Sequence, residues 1–282
     1  MLELLANLSV LIFVITSMLQ MGFSLTINQI IEPLKNYKLV IGALLANFVV
    51  VPLIGYLVIL IIPLETDLVI GLALLATAAG APFLPKLAQI ARGDQAFSVG
   101  LMVLLMGITV IYVPVVLPLL LEGVSINPLS IASSLVILMI IPLTIALFTR
   151  SRYKSIADSL RPYMGQASSI FLILLTILML VVNWEYLIGV IGTGAIIALI
   201  IFALGSFAVG YLFAGKDKTK RSVMGLGTAQ RNISAALIVA TQNFSAQPDV
   251  LIMLLTGALV IFIVLFPIAG ELGRRGKKET ST

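Results

Sequence analysis

Apolar runs of about 20 residues, separated by short polar stretches, fill the chain from end to end. A run of that length crosses a hydrocarbon core as a helix, because in lipid each backbone group must be satisfied within the segment. The runs do not alternate with period two, as the strands of a membrane barrel do. The pattern predicts about nine spans. The first covers Leu5 to Phe23, and an amphipathic connector, Ile27 to Lys38, follows it. The others are expected near Leu39 to Ile62, Asp67 to Ala91, Ala96 to Leu121, Leu129 to Phe148, Ser168 to Val182, Tyr186 to Ala214, Ser222 to Asn243 and Val250 to Gly270. The opening stretch Met1 to Leu5 lacks a basic region and no Ala-x-Ala site follows, so a retained span is expected, not a cleaved signal.

Two of these spans are interrupted. The third carries Gly80-Ala81-Pro82-Phe83-Leu84-Pro85-Lys86, and the eighth carries Gly225-Leu226-Gly227-Thr228-Ala229-Gln230-Arg231-Asn232-Ile233-Ser234. Proline and glycine remove hydrogen bonds and break a helix, which lipid tolerates only where protein or a watery cavity covers the freed groups. Each broken span is followed by a polar turn and a span with glycine and proline: Met106-Gly107 with Pro114, then Thr256-Gly257 with Pro267. The third and eighth spans run in opposite directions, so the chain is expected to hold an inverted repeat with two broken helices, the architecture of many secondary transporters. Residues 1–121 form one half, 166–282 the other, and 122–165 hold the unpaired fifth span and a basic loop.

Charge fixes the expected orientation. Lys35 and Lys38, Arg92, the group Arg150, Arg152, Lys154 and Arg161, the group Lys216, Lys218, Lys220 and Arg221, and the run Arg274, Arg275, Lys277 and Lys278 follow odd-numbered spans. The remaining loops carry acids: Glu65, Asp67, Glu122, Glu185 and Asp249. By the positive-inside rule the N-terminus lies outside and the C-terminus in the cytoplasm of a prokaryote-type inner membrane. The same rule accounts for the formal charge of +5 without nucleic acid as a partner. The C-terminal basic run reads as a topology anchor, with anionic lipid as its other reading. Gly42, Gly55 and Gly107 point to close helix packing and leave the oligomeric state open.

Composition narrows the chemistry. Of the 282 residues 60% are hydrophobic and 10% charged, and none is cysteine or histidine. Thiol catalysis, a histidine base and Cys or His metal sites are thereby excluded. An intramembrane enzyme would need a nucleophile with a base or paired carboxylates, and no Asp or Glu lies deep in any run. Nothing resembles a channel's selectivity ring.

The polar residues of the breaks are the candidate site: Thr77, Gly80, Pro82, Pro85 and Lys86 in the third span, and Thr228, Gln230, Arg231, Asn232 and Ser234 in the eighth. Asn47 and Ser98 join them from neighbouring spans. An ionisable side chain inside a span is costly and functional by default. Arg231 lies ten residues beyond Arg221, deep in its span; Lys86 has Arg92 nearby toward the cytoplasm. With no deep acid to pair them, these cations are expected to be balanced by an anion or by the carbonyl ends of the broken helices.

At these residues the chain resembles the bile acid:sodium symporter family. The likeness includes Met21-Gly22, Ala46-Asn47-Phe48 ahead of Pro52, Ala91-Arg92-Gly93-Asp94 with Ala96-Phe97-Ser98, and the polar break of the eighth span. The resemblance implies a core domain whose two broken helices cross, a separate panel domain, and alternating access. Departures stand beside it. Where the family has the sodium-ligating Ser and Asn, this chain has Leu84 and Pro85; where it has a sodium-binding Glu and a Gln, this chain has Gly227 and Arg231. Asn47 stands in place of another Gln, and Ser98 keeps a family serine.

The expectation is therefore a polytopic all-α membrane protein, not an enzyme, that moves a small organic anion and uses no cofactor. Lys86 and Arg231 would stand in for two sodium ions. The alternative is a sodium-coupled symporter whose ion, the one metal to be expected, sits near Asn47, Ser98, Gln230 and Asn232.

Overall fold

Among the residues that the computed structural model describes, 2–121, 127–182 and 192–279, every regular element is helical. Helices α1 (Leu2–Ser24) and α2 (Ile27–Ile31) lead through a 3-10 turn, Glu32–Lys35, into α3 (Tyr37–Leu45). A π-helical turn, Ala46–Val50, joins α3 to α4 (Val51–Ile61). Then come α5 (Thr66–Thr77), α6 (Leu84–Ile90) and α7 (Gln95–Leu120). Helix α8 (Pro128–Leu135) passes through a second π turn, Val136–Ile140, into α9 (Ile141–Arg152), followed by α10 (Lys154–Val182). The chain ends with α11 (Ala195–Phe213), α12 (Lys218–Ala229), α13 (Ile233–Asn243) and α14 (Pro248–Glu279).

Among the described residues five stretches are long and apolar enough to cross a membrane: Tyr37–Ile61, Gln95–Leu120, Pro128–Arg152, Ala195–Phe213 and Pro248–Gly276. They coincide with the predicted second, fourth, fifth, seventh and ninth spans. Leu8–Ser24 and Thr66–Thr77 are shorter apolar helices. In the connector α2 buries no residue, and Ile27, Ile31 and Tyr37 are exposed. One expectation is corrected. The basic stretch 150–161 is no loop, because α9 runs to Arg152 and α10 starts at Lys154. Arg150 pairs with Asp158 across that turn, and a boundary at 165 falls inside α10. Glu122, Glu185 and the start of the predicted seventh span at Tyr186 lie outside the described residues, as do the side chains of Lys277 and Lys278.

Both π turns have one cause. Pro52 has no N–H to give the Phe48 carbonyl four residues back, and Pro142 none for Leu138. The helix widens for one turn, so Val51 N–H bonds Ala46 O and Ile141 N–H bonds Val136 O. At the first turn the Tyr112 hydroxyl of α7 donates to the freed Phe48 carbonyl at 2.6 Å, and the two rings lie 4.8 Å apart.

Packing separates two groups of helices. Helices α1, α9 and α10 lie against one another. The second group surrounds the two breaks: α5 packs on α13, α6 on α12, and α14 touches all four. Small residues permit this closeness. A Cβ on Gly71 would meet Met253 Cβ at 2.5 Å, and one on Gly257 would meet Leu75 Cδ1 at 2.6 Å. Helices α1 and α8 reach the second group through α13.

Candidate functional site

The first break falls between α5 and α6, where residues 78–83 leave the helix. Gly80 takes φ +83°, and a Cβ there would collide with the Met106 backbone of α7. Only glycine combines that dihedral with so close an approach. The second break is three residues long, Gln230-Arg231-Asn232, between α12 and α13. Both breaks free carbonyls in the last turns of α5 and α12, where the helix dipoles are negative, and amides at the start of α6 and α13.

Asn232 stitches one break to the other. Its backbone N–H donates to Ala78 O at 2.9 Å, and its Nδ2 donates to Gly80 O at 3.1 Å. Its Oδ1 accepts from Ala235 N–H, capping α13. In an unbroken helix Ala78 O would bond the N–H of residue 82, which is proline. The sequence thus leaves open the acceptor that Asn232 uses. Thr109 of α7 closes the other side, its hydroxyl accepting from Ala79 N–H at 2.9 Å and donating to Ala79 O at 3.0 Å.

Arg231 is the largest fully buried side chain, 1% exposed. Four of its guanidinium N–H groups are spent on oxygens. Nε donates to Leu75 O at 2.7 Å and Nη2 to Ala76 O at 2.9 Å, both in the last turn of α5. Nη1 donates to Thr228 O and to Asn47 Oδ1, each at 2.9 Å. Thr228 O is free because its helical partner, Asn232 N–H, has gone to Ala78. The Asn47 amide is oriented in turn by donating Nδ2 to Ala43 O at 3.0 Å and to Thr228 Oγ1 at 3.1 Å. The buried cation is balanced by two negative helix ends and one amide oxygen, as the carbonyl-end expectation required.

The structure does not bring Lys86 into this cradle, which corrects the expectation of a second buried cation. Lys86 lies on the exposed face of α6, and its Nζ donates to Gln89 Oε1 at 3.1 Å. The break ends before it, so α6 has turned that position outward. Half-buried Pro82 and Pro85 end the break and start α6. Thr77 and Ser98 are buried, but their hydroxyls fold back onto Ala73 O and Gln95 O of their own helices. Ser234 is buried in the first turn of α13. Gln230 is 4% exposed, and its Oε1 has no hydrogen-bond partner among the described residues.

A second space lies beside Gly227. A Cβ there would meet Leu84 Cδ2 at 2.7 Å and Leu101 Cδ2 at 3.2 Å. Ser98 stands one turn before Leu101 on α7. The residues that the resemblance aligns with a sodium-ligating Ser and Glu therefore touch each other as leucine and glycine. The sequence reading missed Thr109, Tyr112 and Leu101. Pro52 was the available signal for Tyr112, since it orphans the Phe48 carbonyl; nothing local marks the other two.

A protein of Arabidopsis thaliana named "Probable sodium/metabolite cotransporter BASS3, chloroplastic" is 23% identical over 232 residues, which is 80% of this chain and 54% of that protein. The chain thus spans about half the length of the curated relative it matches. Residues 11–190 match the profile of the sodium bile acid symporter family, a stretch that includes the first break, Asn47 and Thr109 but stops short of Arg231. With that match over more than half its length, and with apolar helices long enough to cross a bilayer, the chain is an integral membrane protein of the sodium bile acid symporter family.

Proposed function

We propose that this protein is a secondary transporter that moves a small organic anion by alternating access, and that it needs no sodium because Arg231 supplies the cation built in. The observation that carries this reading is the cradle of Leu75 O, Ala76 O, Thr228 O and Asn47 Oδ1, filled by a guanidinium. A metal ion binds to oxygen sets of this kind, and a guanidinium tethered to the chain would occupy the place instead. The space beside Gly227 supports the same reading, since leucines stand where a second ion would require oxygen. Lys86 drops out as a replacement ion because it is exposed.

In this reading the chain has nine spans, the breaks cross within an inverted repeat, and the N-terminus faces outward from a prokaryote-type inner membrane. Helices α1, α9 and α10 form the panel. Arg231 is committed to carbonyls, so recognition of the anion falls to the helix starts at Phe83 and Asn232, whose dipoles are positive. Sodium-coupled symport is the second reading. The family name and the relative's name favour it, as does the buried, unpartnered Gln230 Oε1.

The test is a melting curve of the purified protein in sodium, potassium and choline chloride at matched ionic strength, followed by uptake of small carboxylates into proteoliposomes. Equal Tm values and equal uptake in the three salts are expected. A saturable, sodium-specific rise of the form RT ln(1 + [L]/Kd) would transfer the assignment to sodium symport.

A further inference from the structure

Away from the breaks, a cavity of about 560 Å³ opens where the connector meets the first turns of α7 and α12. Glu32, Lys35, Tyr37 and Lys38 come from the connector side, Asp94 and Phe97 from the start of α7, and Lys220 from α12. Close packing adjoins the cavity: a Cβ on Gly93, just before α7, would meet Val223 Cγ2 of α12 at 2.6 Å, and one on Gly42 of α3 would meet Phe213 O of α11 at 2.9 Å.

The charges there are not evenly matched. Asp94 is occupied in capping α7 through Phe97 N–H at 2.9 Å. Asp217 is occupied in capping α12 through Thr219 and Lys220 N–H, and its contact with Lys220 Nζ is long, at 3.6 Å. Lys35 pairs with Glu32, but both side chains are about 70% exposed, where such a pair is weak. Lys38 has no carboxylate in ion-pair range among the described residues, and its ammonium stands 6.0 Å from the Tyr37 ring centre. Around this cationic mouth the connector exposes Ile27, Ile31 and Tyr37. Apolar side chains beside lysines on an amphipathic segment are the signature of a segment lying in the interface of a bilayer.

We infer that this cavity binds the headgroup of an anionic phospholipid, with Lys35, Lys38 and Lys220 as its cationic ligands and the connector's apolar face in the acyl boundary. The C-terminal run, whose first reading is a topology anchor, carries the other candidate cations. Arg274 Nε and Arg275 Nε are both paired with Glu271, at 2.8 and 2.7 Å. The assignment rests on the membrane reading and not on sodium independence.

The experiment titrates phosphatidylglycerol into phosphatidylcholine nanodiscs holding the protein, with Tm and native mass spectrometry as readouts. Wild type is expected to gain Tm saturably and to retain phosphatidylglycerol. The Lys35→Gln/Lys38→Gln/Lys220→Gln protein is expected to need at least about tenfold more of it, given the size of a lysine's attraction to an anionic leaflet. Should the triple variant fail to fold, Lys38→Gln alone is expected to show the same direction, and wild-type behaviour from it would overturn the assignment. A triple variant that titrates like wild type would also overturn it. So would loss of the response in Arg274→Gln/Arg275→Gln, or an equal Tm gain from inorganic phosphate in phosphatidylcholine alone, which would mark a free-anion site.

Discussion

Arg231 donates a 2.9 Å hydrogen bond to the Asn47 amide oxygen, joining the second helix break to the π turn across 184 positions of chain. The π turn exists because of Pro52, and the break frees the carbonyls that share the guanidinium. Removing either partner leaves buried polar groups without their match.

Arg231→Ala is expected to destabilise the protein, because four buried oxygens lose their donor, at about 1–3 kcal/mol for each one left unsatisfied. Arg231→Lys keeps the charge but cannot reach four oxygens of a planar set, so a partial loss is expected. Thermal melts in detergent measure both. A wild-type Tm for Arg231→Ala would remove the cradle from any structural role.

The leucine-filled space makes a gain-of-function experiment possible. Gly227→Glu alone should destabilise, because its first side-chain carbon would stand 2.7 Å from Leu84 Cδ2. Combined as Leu84→Ser/Gly227→Glu/Arg231→Gln, the changes clear that space, restore oxygens and vacate the cradle. The triple variant is expected to melt higher in sodium than in choline chloride, and wild type is expected not to distinguish them. Identical curves for the triple variant in both salts count against the proposed replacement.

Thr109→Val keeps the shape of the side chain and deletes both bonds to Ala79. A buried amide and carbonyl left unpaired cost about 1–3 kcal/mol each in the least relaxed case. Lower Tm and faster amide exchange around the first break are expected. Thr109→Ser, which retains the hydroxyl, should recover most of the loss.

Asp217 gives a pH signature outside the membrane. The Thr219 hydroxyl, then the Lys220 and Thr219 amides, hold its carboxyl below the ordinary carboxylate range. A depressed value in the folded state means that its stabilisation is complete above the unfolded value near 3.9 and fades as pH falls through the folded one. Wild type should therefore lose part of its stability below about pH 4 that Asp217→Asn, with an uncharged cap, never had. Parallel Tm-against-pH profiles for the two proteins would rule the cap out as the source.

Much of this protein was legible in its sequence. Apolar runs placed five long helices, most of their ends to within a few residues, because the bilayer sets a length that composition must meet. Gly80, Pro82 and the polar stretch at Gln230 to Asn232 placed both breaks, because a φ of +83° cannot continue a helix and a proline leaves an acceptor without its donor. Those are local constraints, and local sequence carries them. What lay beyond them was the partner of each freed group. Lys86 and Arg231 look alike in the sequence, each a cation beside a helix break. One is exposed and the other fully buried, because α6 resumes before Lys86 while Arg231 sits inside the interruption itself. That Asn232 would reach Ala78, Thr109 reach Ala79, and Leu84 fill the space at Gly227 depends on helices far apart in the chain meeting at one depth. Only tertiary packing decided that, since it alone determines which carbonyls are left for a buried charge to satisfy.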